Sequence, residues 1–217
     1  MSDLMAKISQ GRQYRNMRSF EAVQREEGGE KNYVVKGYAT TFNEPYTLYS
    51  DDDIEIREQV APTAFDNADM SDVIFQYNHE GHVYARTKNG TLRLTIDEHG
   101  LAQETNLGGT EIGRQLYEEI DGGYTDKMSF GFTVDADEVS EQRESGRPTI
   151  YLRTITKIGK LYDVSAVSIP ANDGTEISAR SFIDGLIDKA KAERLVEEKR
   201  QKAKAALELE LELFKEV

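Results

Sequence analysis

Three histidines, one well-placed serine and a set of strand-borne acids are the residues of this chain that could do chemistry. Ser129 lies in Lys127-Met128-Ser129-Phe130-Gly131-Phe132-Thr133-Val134. There Met128, Phe130, Phe132 and Val134 alternate with Ser129, Gly131 and Thr133, the period of a strand with one apolar face and one small, polar face. A hydroxyl with only small neighbours on its face is open to attack by, or on, a substrate. It is also where an ordinary strand serine sits. To act as a nucleophile it needs a base within hydrogen-bond reach and a third group to orient that base. The only imidazoles are His79, His82 and His99. His79 ends the apolar run at 73–77. Asp163 lies in a further apolar stretch at 161–169, with Tyr162 and Val164 turned the other way. On three strands of one β domain these residues form a permitted triad. His79 would take the proton from Ser129, and Asp163 would hold the imidazole tautomer and stabilise the imidazolium. Spacing alone does not bring them together.

Each alternative has a plainer reading. His82, three residues from His79, could join it and Glu80 at a metal, but two histidines at that spacing without further ligands make a weak site. His99 sits in a turn beside Asp97 and Glu98, as a solvated residue would. Asp51-Asp52-Asp53 lacks the alternation of a calcium loop and reads as a solvated turn. Ser165 shares a face with Asp163 and is the fallback nucleophile.

The elements that must position these residues are mostly strands. Residues 32–42 are β-branched and aromatic, with Gly37 marking a bulge or a close backbone approach. Residues 54–60 alternate as a strand, and 61–65 suggest a short helix with Pro62 in its first turn. Strands at 73–77, 83–87, 91–96 and 101–106 follow. The Asn89-Gly90 turn signals a hairpin between the second and third, so that these strands form an antiparallel meander. Thr110 is an N-cap for a helix through Ile120, with Ile112, Leu116 and Ile120 on one stripe and Gly122-Gly123 ending it. Residues 136–148 read as an exposed connection, 149–158 and 161–169 as two more strands. The expected class is mainly β with a few helices (α+β), a closed barrel or sandwich of antiparallel strands.

The two ends differ from this middle. Residues 1–30 read as a flexible arm, or a first strand near 15–23. Residues 31–180 hold the β domain. Residues 181–217 are almost all Ala, Glu, Lys, Leu and Arg, a helical extension for assembly or removal, although the leucines from Leu207 to Leu213 recur with a conflicting period of two.

Composition narrows the classes of function. The chain has 217 residues and 38% hydrophobic content, room for one domain with a core plus extensions. It has no cysteine, which removes disulfides, thiolate catalysis and cysteine-ligated zinc. A net charge of −13 argues against nucleic acid as a partner. No apolar run suits a membrane span, and residues 1–10 lack the apolar stretch of a signal peptide. The expectation is a soluble intracellular protein with no membrane partner.

Four pieces in order resemble the tailed-phage prohead proteases, the capsid-maturation serine proteases. They are Tyr77-Asn78-His79; Arg86-Thr87-Lys88-Asn89-Gly90-Thr91-Leu92-Arg93-Leu94; Met128-Ser129-Phe130-Gly131-Phe132; and Leu161-Tyr162-Asp163-Val164-Ser165 leading to Ile169-Pro170-Ala171-Asn172. The likeness covers residues 30–180. It places the family's catalytic histidine on His79 and its serine on Ser129. It also implies a fold related to the herpesvirus assemblin proteases. Those use a Ser-His-His triad, and this chain has no histidine after His99, so the third member should be an acid: Asp163, with Glu80 and Glu104 as rivals. The turn at 170–174 is the oxyanion candidate through Ala171 and Asn172, as the corresponding loop is in the assemblin relatives; Arg153 or Arg180 could assist. The resemblance further implies an endopeptidase that needs no metal or cofactor, packaged in a procapsid in the host bacterial cytoplasm. It would cleave the major capsid protein's scaffold segment and itself, and would self-associate as a dimer or higher oligomer. The C-terminal helix would then be a targeting segment, later cut off. The competing reading is a catalytically silent capsid or scaffold assembly factor that binds through that helix.

Overall fold

The period-two stretch around Ser129 becomes an interior strand of the larger of two sheets. The computed structural model describes residues 12–18, 20–27, 30–144, 146–168 and 177–215. In chain order the strands are β1 (Gln13–Arg18), β2 (Phe20–Glu27), β3 (Glu30–Thr41), β4 (Tyr46–Ser50), β5 (Ile54–Val60), β6 (Ile74–Tyr77), β7 (Glu80–Arg86), β8 (Leu92–Ile96), β9 (Gly100–Asn106), β10 (Lys127–Gln142) and β11 (Thr149–Val167). Helix α1 spans Glu111–Asp121 and helix α2 Ile177–Lys215. The larger sheet runs β1-β10-β11-β5-β4, with β6 paired to β11 and β7 to β6; the smaller runs β2-β3-β9-β8.

The two sheets share one core. Met128, Phe130, Phe132 and Val134 from β10, with Ile155, Ile158, Leu161 and Val164 from β11, are buried together with Val35 and Ala39 of β3, Leu92 of β8 and Leu101 of β9. Helix α1 adds Leu116, Tyr117 and Ile120. Thr110 caps it by accepting a hydrogen bond from the Gly113 amide at 3.1 Å, which satisfies one of the helix's orphan donors.

Several expectations are corrected. The sheets do not close into a barrel, and they are not wholly antiparallel: β11 runs parallel to both β5 and β6. Asn89-Gly90 does not make a hairpin. Gly90 has the positive φ of 75° that such a turn wants, yet β7 pairs with β6 in the larger sheet and β8 with β9 in the smaller. The turn passes the chain between sheets. Residues 62–67 are successive turns, not a helix. The apparent strands at 149–158 and 161–169 are one strand, β11, and β10 continues through much of the polar stretch read as a connection, with register shifts between Gly131 and Asp137 bending the pair.

Helix α2 is only partly an outside element. Ile183 and Leu186 are buried against Ile54, Ile56 and Tyr151, whereas residues 194–208 are exposed throughout. Helical composition prevails over the period-two leucines, since the helix runs on to Lys215.

Candidate active site

Three adjacent strands build one face of the site in register. Tyr14 of β1 pairs with Gly131 of β10, and Gly131 with Asp163 of β11; one step along, Asn16 pairs with Ser129 and Ser129 with Ser165. Alternation puts Tyr14, Ser129, Gly131, Asp163 and Ser165 on the face opposite the Phe130 and Phe132 side chains. Asp163 and Ser129 therefore stand on neighbouring strands, one row apart, each wholly buried.

His79 comes to them from a hairpin. β6 pairs with the end of β11, and Tyr77 of β6 faces Glu80 of β7 across a two-residue turn made by Asn78 and His79. Both have positive φ, 52° and 60°. A two-residue hairpin of type I′ requires this at both central positions and normally recruits Asn and Gly. Asn78 fits the preference, and its side chain is tied to Ser168, whose backbone amide donates to Asn78 Oδ1 at 3.0 Å. His79 does not fit it. A non-glycine residue in the left-handed region costs roughly 1–2 kcal/mol, and such local strain persists where the surrounding structure holds it in place.

The hairpin aims the ring between serine and acid. His79 Nδ1 lies 2.5 Å from Asp163 Oδ1, and His79 Nε2 lies 2.6 Å from Ser129 Oγ. Since the carboxylate can only accept, Nδ1 carries the proton and Nε2 is left to accept from the Ser129 hydroxyl. Burial, with the Arg12 guanidinium nearby, pushes the imidazolium of His79 down to about 4, because both disfavour a second positive charge. The ring is neutral at pH 7 and free to take a proton. The side chain of His79 is 17% exposed, so the ring marks where this cluster meets solvent, while Ser129 lies beneath the surface.

Two partners of Asp163 were not foreseen as such. Ser165 Oγ donates to Asp163 Oδ1 at 2.6 Å, which makes Ser165 a support for the acid and removes it as a rival nucleophile. Arg12 Nη2 donates to the other oxygen, Oδ2. Its guanidinium lies over Tyr162 and Tyr14, 4.7 and 5.0 Å from the ring centroids, and the Tyr14 ring packs on His79 at 4.2 Å between centroids. The stretch read as a flexible arm or first strand thus includes β1, paired along the serine strand. Only the alternation of Gln13–Arg18 could have signalled it, and those residues are mostly polar.

The other candidates lie elsewhere. Glu104 pairs with Lys36 in the smaller sheet, and Glu80 is exposed. His82 is exposed, with its ring 6.5 Å from Tyr84. His99 packs on Tyr38 at 4.5 Å. No group of three His, Asp or Glu among the described residues is arranged to hold a metal ion. Arg153 is engaged by Glu58 and Asp137. Ala171 and Asn172, the expected oxyanion residues, lie outside the described residues.

A hydroxyl, a neutral imidazole and a carboxylate joined in this order, on a mainly β scaffold, have the arrangement of a serine hydrolase. The chain belongs to the caudovirus prohead serine protease family, whose sequence profile matches residues 19–186. Among solved structures, it is similar to the bacteriophage T4 capsid assembly protease, gp21, at 9% identity and a TM-score of 0.43, over 72% of this chain and 96% of that one. No curated protein sequence matches. No helix among the described residues is long and apolar enough to cross a membrane.

Proposed function

We propose that this chain is a serine endopeptidase that cuts the scaffold segment of capsid precursors, and itself, during prohead maturation. The observation that carries the reading is the unbroken hydrogen-bond line from Ser129 through His79 to Asp163, in a member of a prohead protease family. In the first step Ser129 Oγ attacks the scissile carbonyl while His79 Nε2 takes its proton. The imidazolium so formed is stabilised by Asp163 and returns the proton to the leaving amine. Water, deprotonated by the same ring, then releases the acyl group from Ser129. None of these steps calls for a metal or cofactor. The polypeptide substrate would be met inside the procapsid, in the host bacterial cytoplasm, where the enzyme would work as a dimer or higher oligomer. The protease unit would be residues 31–180 together with β1 and β2, which complete its two sheets, with self-trimming in the segments beyond.

The burial of Ser129 favours one competing reading, a silent assembly factor that binds through the exposed length of α2. Purified wild type and Ser129→Ala, followed by intact-mass spectrometry over weeks, separate the two. The protease reading expects wild type to lose terminal fragments and the variant to stay whole. Trimming at equal rates in both would overturn it, and an intact wild type would turn the assignment toward the assembly factor.

A further inference from the structure

Resting on the hydrolase reading above, we infer that Arg12 is a positioning residue of the site, a fourth member that locks the Asp163 carboxylate in the plane His79 needs. Asp163 has two oxygens to satisfy. Oδ1 accepts from His79 and Ser165, and Oδ2 accepts from Arg12. With both ends held, the carboxylate cannot rotate away from Nδ1. A planar, always-charged guanidinium suits this role as an ammonium does not.

The cluster is built around Arg12. Its guanidinium lies within cation–ring distance of both Tyr14 and Tyr162, contacts that help to hold it in place. Gly131, the cross-strand neighbour of both Tyr14 and Asp163, supplies the space. A Cβ there would meet Asp163 Oδ2 at 2.4 Å, Tyr14 Cε1 at 2.8 Å and Arg12 Nε at 2.9 Å. Any side chain at 131 would drive the guanidinium, the tyrosine and the carboxylate apart. The absent Cβ in the serine strand thus belongs to the site as much as the serine does.

The strand that brings Arg12 is itself anchored. Arg15, on the opposite face of β1, is buried and bonded to Glu58, and Gln13 Oε1 accepts from Arg153 at 3.2 Å. Arg12 is held beside Asp163 by a strand fastened into the sheet. The charged and titratable groups facing the His79 ring are Asp163 of β11, Arg12 just before β1 and Tyr14 of β1. Removing Arg12 leaves the negative charge of Asp163 without its positive neighbour, so the imidazolium becomes easier to form. The His79 titration then moves up. Separately, the loosened acid lowers the rate of serine attack.

The test is an NMR titration of His79 in the full chain, with wild type, Arg12→Ala, Arg12→Lys and Gly131→Ala, beside the self-trimming rate of each across pH. The expected result is a His79 midpoint that rises in Arg12→Ala and in Gly131→Ala, with Arg12→Lys between. Trimming falls on the order of tenfold to a hundredfold, as misplacement of a catalytic group by about an ångström would give, and its acidic limb shifts to higher pH. Gly131→Ala keeps the arginine but displaces it, so a matching shift there separates geometry from loss of charge. A His79 midpoint unchanged in Arg12→Ala, with the fold intact by circular dichroism, overturns the inference. So does a shift in Arg12→Ala that Gly131→Ala does not share. If wild type does not trim at all, the hydrolase reading fails, while the titration still decides whether Arg12 governs His79.

Discussion

One short strand delivers two arginines to two buried carboxylates on opposite faces of the same sheet, and the two sites are built to different ends. Arg15 reaches Glu58 through Nε at 2.5 Å and Nη2 at 3.0 Å. Arg153 reaches the same carboxylate at 2.8 Å, and the Tyr46 hydroxyl donates to it at 2.5 Å. Every partner of Glu58 is a donor and two are guanidinium groups, so its carboxyl is held down to about 2 in spite of burial. Arg12 reaches Asp163, whose other oxygen is bonded to an imidazole and a hydroxyl. The first site has nothing able to take up a proton at ordinary pH. The second has a neutral imidazole that passes its other nitrogen to Ser129. The difference lies in the third partner: a guanidinium beside Glu58 makes a rivet, and an imidazole beside Asp163 makes a relay.

Position in the core completes the contrast. Along β5 the buried residues are Ile54, Ile56, Glu58 and Val60, and along β11 they include Tyr151, Arg153 and Ile155. The paired row of Glu58 and Arg153 falls between the apolar cluster under α2 and the main core between the sheets. The rivet joins two apolar regions. The relay sits on the other face, with its imidazole at the surface.

The relay is most vulnerable at Asp163. In Asp163→Asn the His79 tautomer is no longer imposed, and hydrolysis should fall on the order of 10⁴-fold, with only a small loss of thermal stability, as followed by self-trimming and circular dichroism. Changing Glu58 should do the reverse. Glu58→Gln leaves two buried guanidinium groups with a neutral partner, and breaking a buried pair costs roughly 3–5 kcal/mol, read as a lower urea midpoint. The His79 titration should remain that of wild type where the variant is folded. A comparable loss of stability from Asp163→Asn and Glu58→Gln would contradict the distinction.

Acid also separates the two sites. Because the His79 midpoint is lowered to about 4, the folded protein binds fewer protons there than the unfolded chain between pH 6.5 and 4. Stability should therefore fall as pH drops through that window. The neutral base, and with it activity, should persist until pH approaches 4. Glu58, lowered to about 2, gives its full contribution above its ordinary value of 4.5 and loses it as pH falls from there toward 2. Activity should thus fail before the Glu58 contribution is fully lost, which a pH series of trimming and urea melts would check. The smallest effect concerns the hairpin. His79→Gly relieves the left-handed strain that His79→Ala retains, so the glycine variant should be the more stable of the two inactive proteins by about 1 kcal/mol.

The legible parts of the sequence were those where chemistry and periodicity agree. Ser129 stands on a clean period-two strand, His79 ends one apolar run and Asp163 lies within another. What escaped was set by long-range pairing. β1 carries Gln13 and Arg15 on a buried face, so hydrophobic alternation, the usual sign of a strand, is replaced there by the Arg15–Glu58 ion pair and the hydrogen bond that Gln13 accepts from Arg153. Nothing local in residues 12–18 shows that they will lie along β10, more than a hundred residues away. Asn89-Gly90 has the chemistry of a turn, but which strands flank it in a sheet is decided by the core each must bury. Gly159 lies between the two apparent strands at 149–158 and 161–169. In the fold a Cβ there would meet Asp135 Oδ1 at 2.3 Å, so the glycine admits a neighbour without ending the strand.

Activation of Ser129 by His79 is read by treating the folded chain with a fluorophosphonate and locating the adduct by peptide mass spectrometry. The expected result is a single adduct on Ser129 in wild type, absent from His79→Ala and from unfolded wild type. No adduct on Ser129, or equal labelling in His79→Ala, would contradict it.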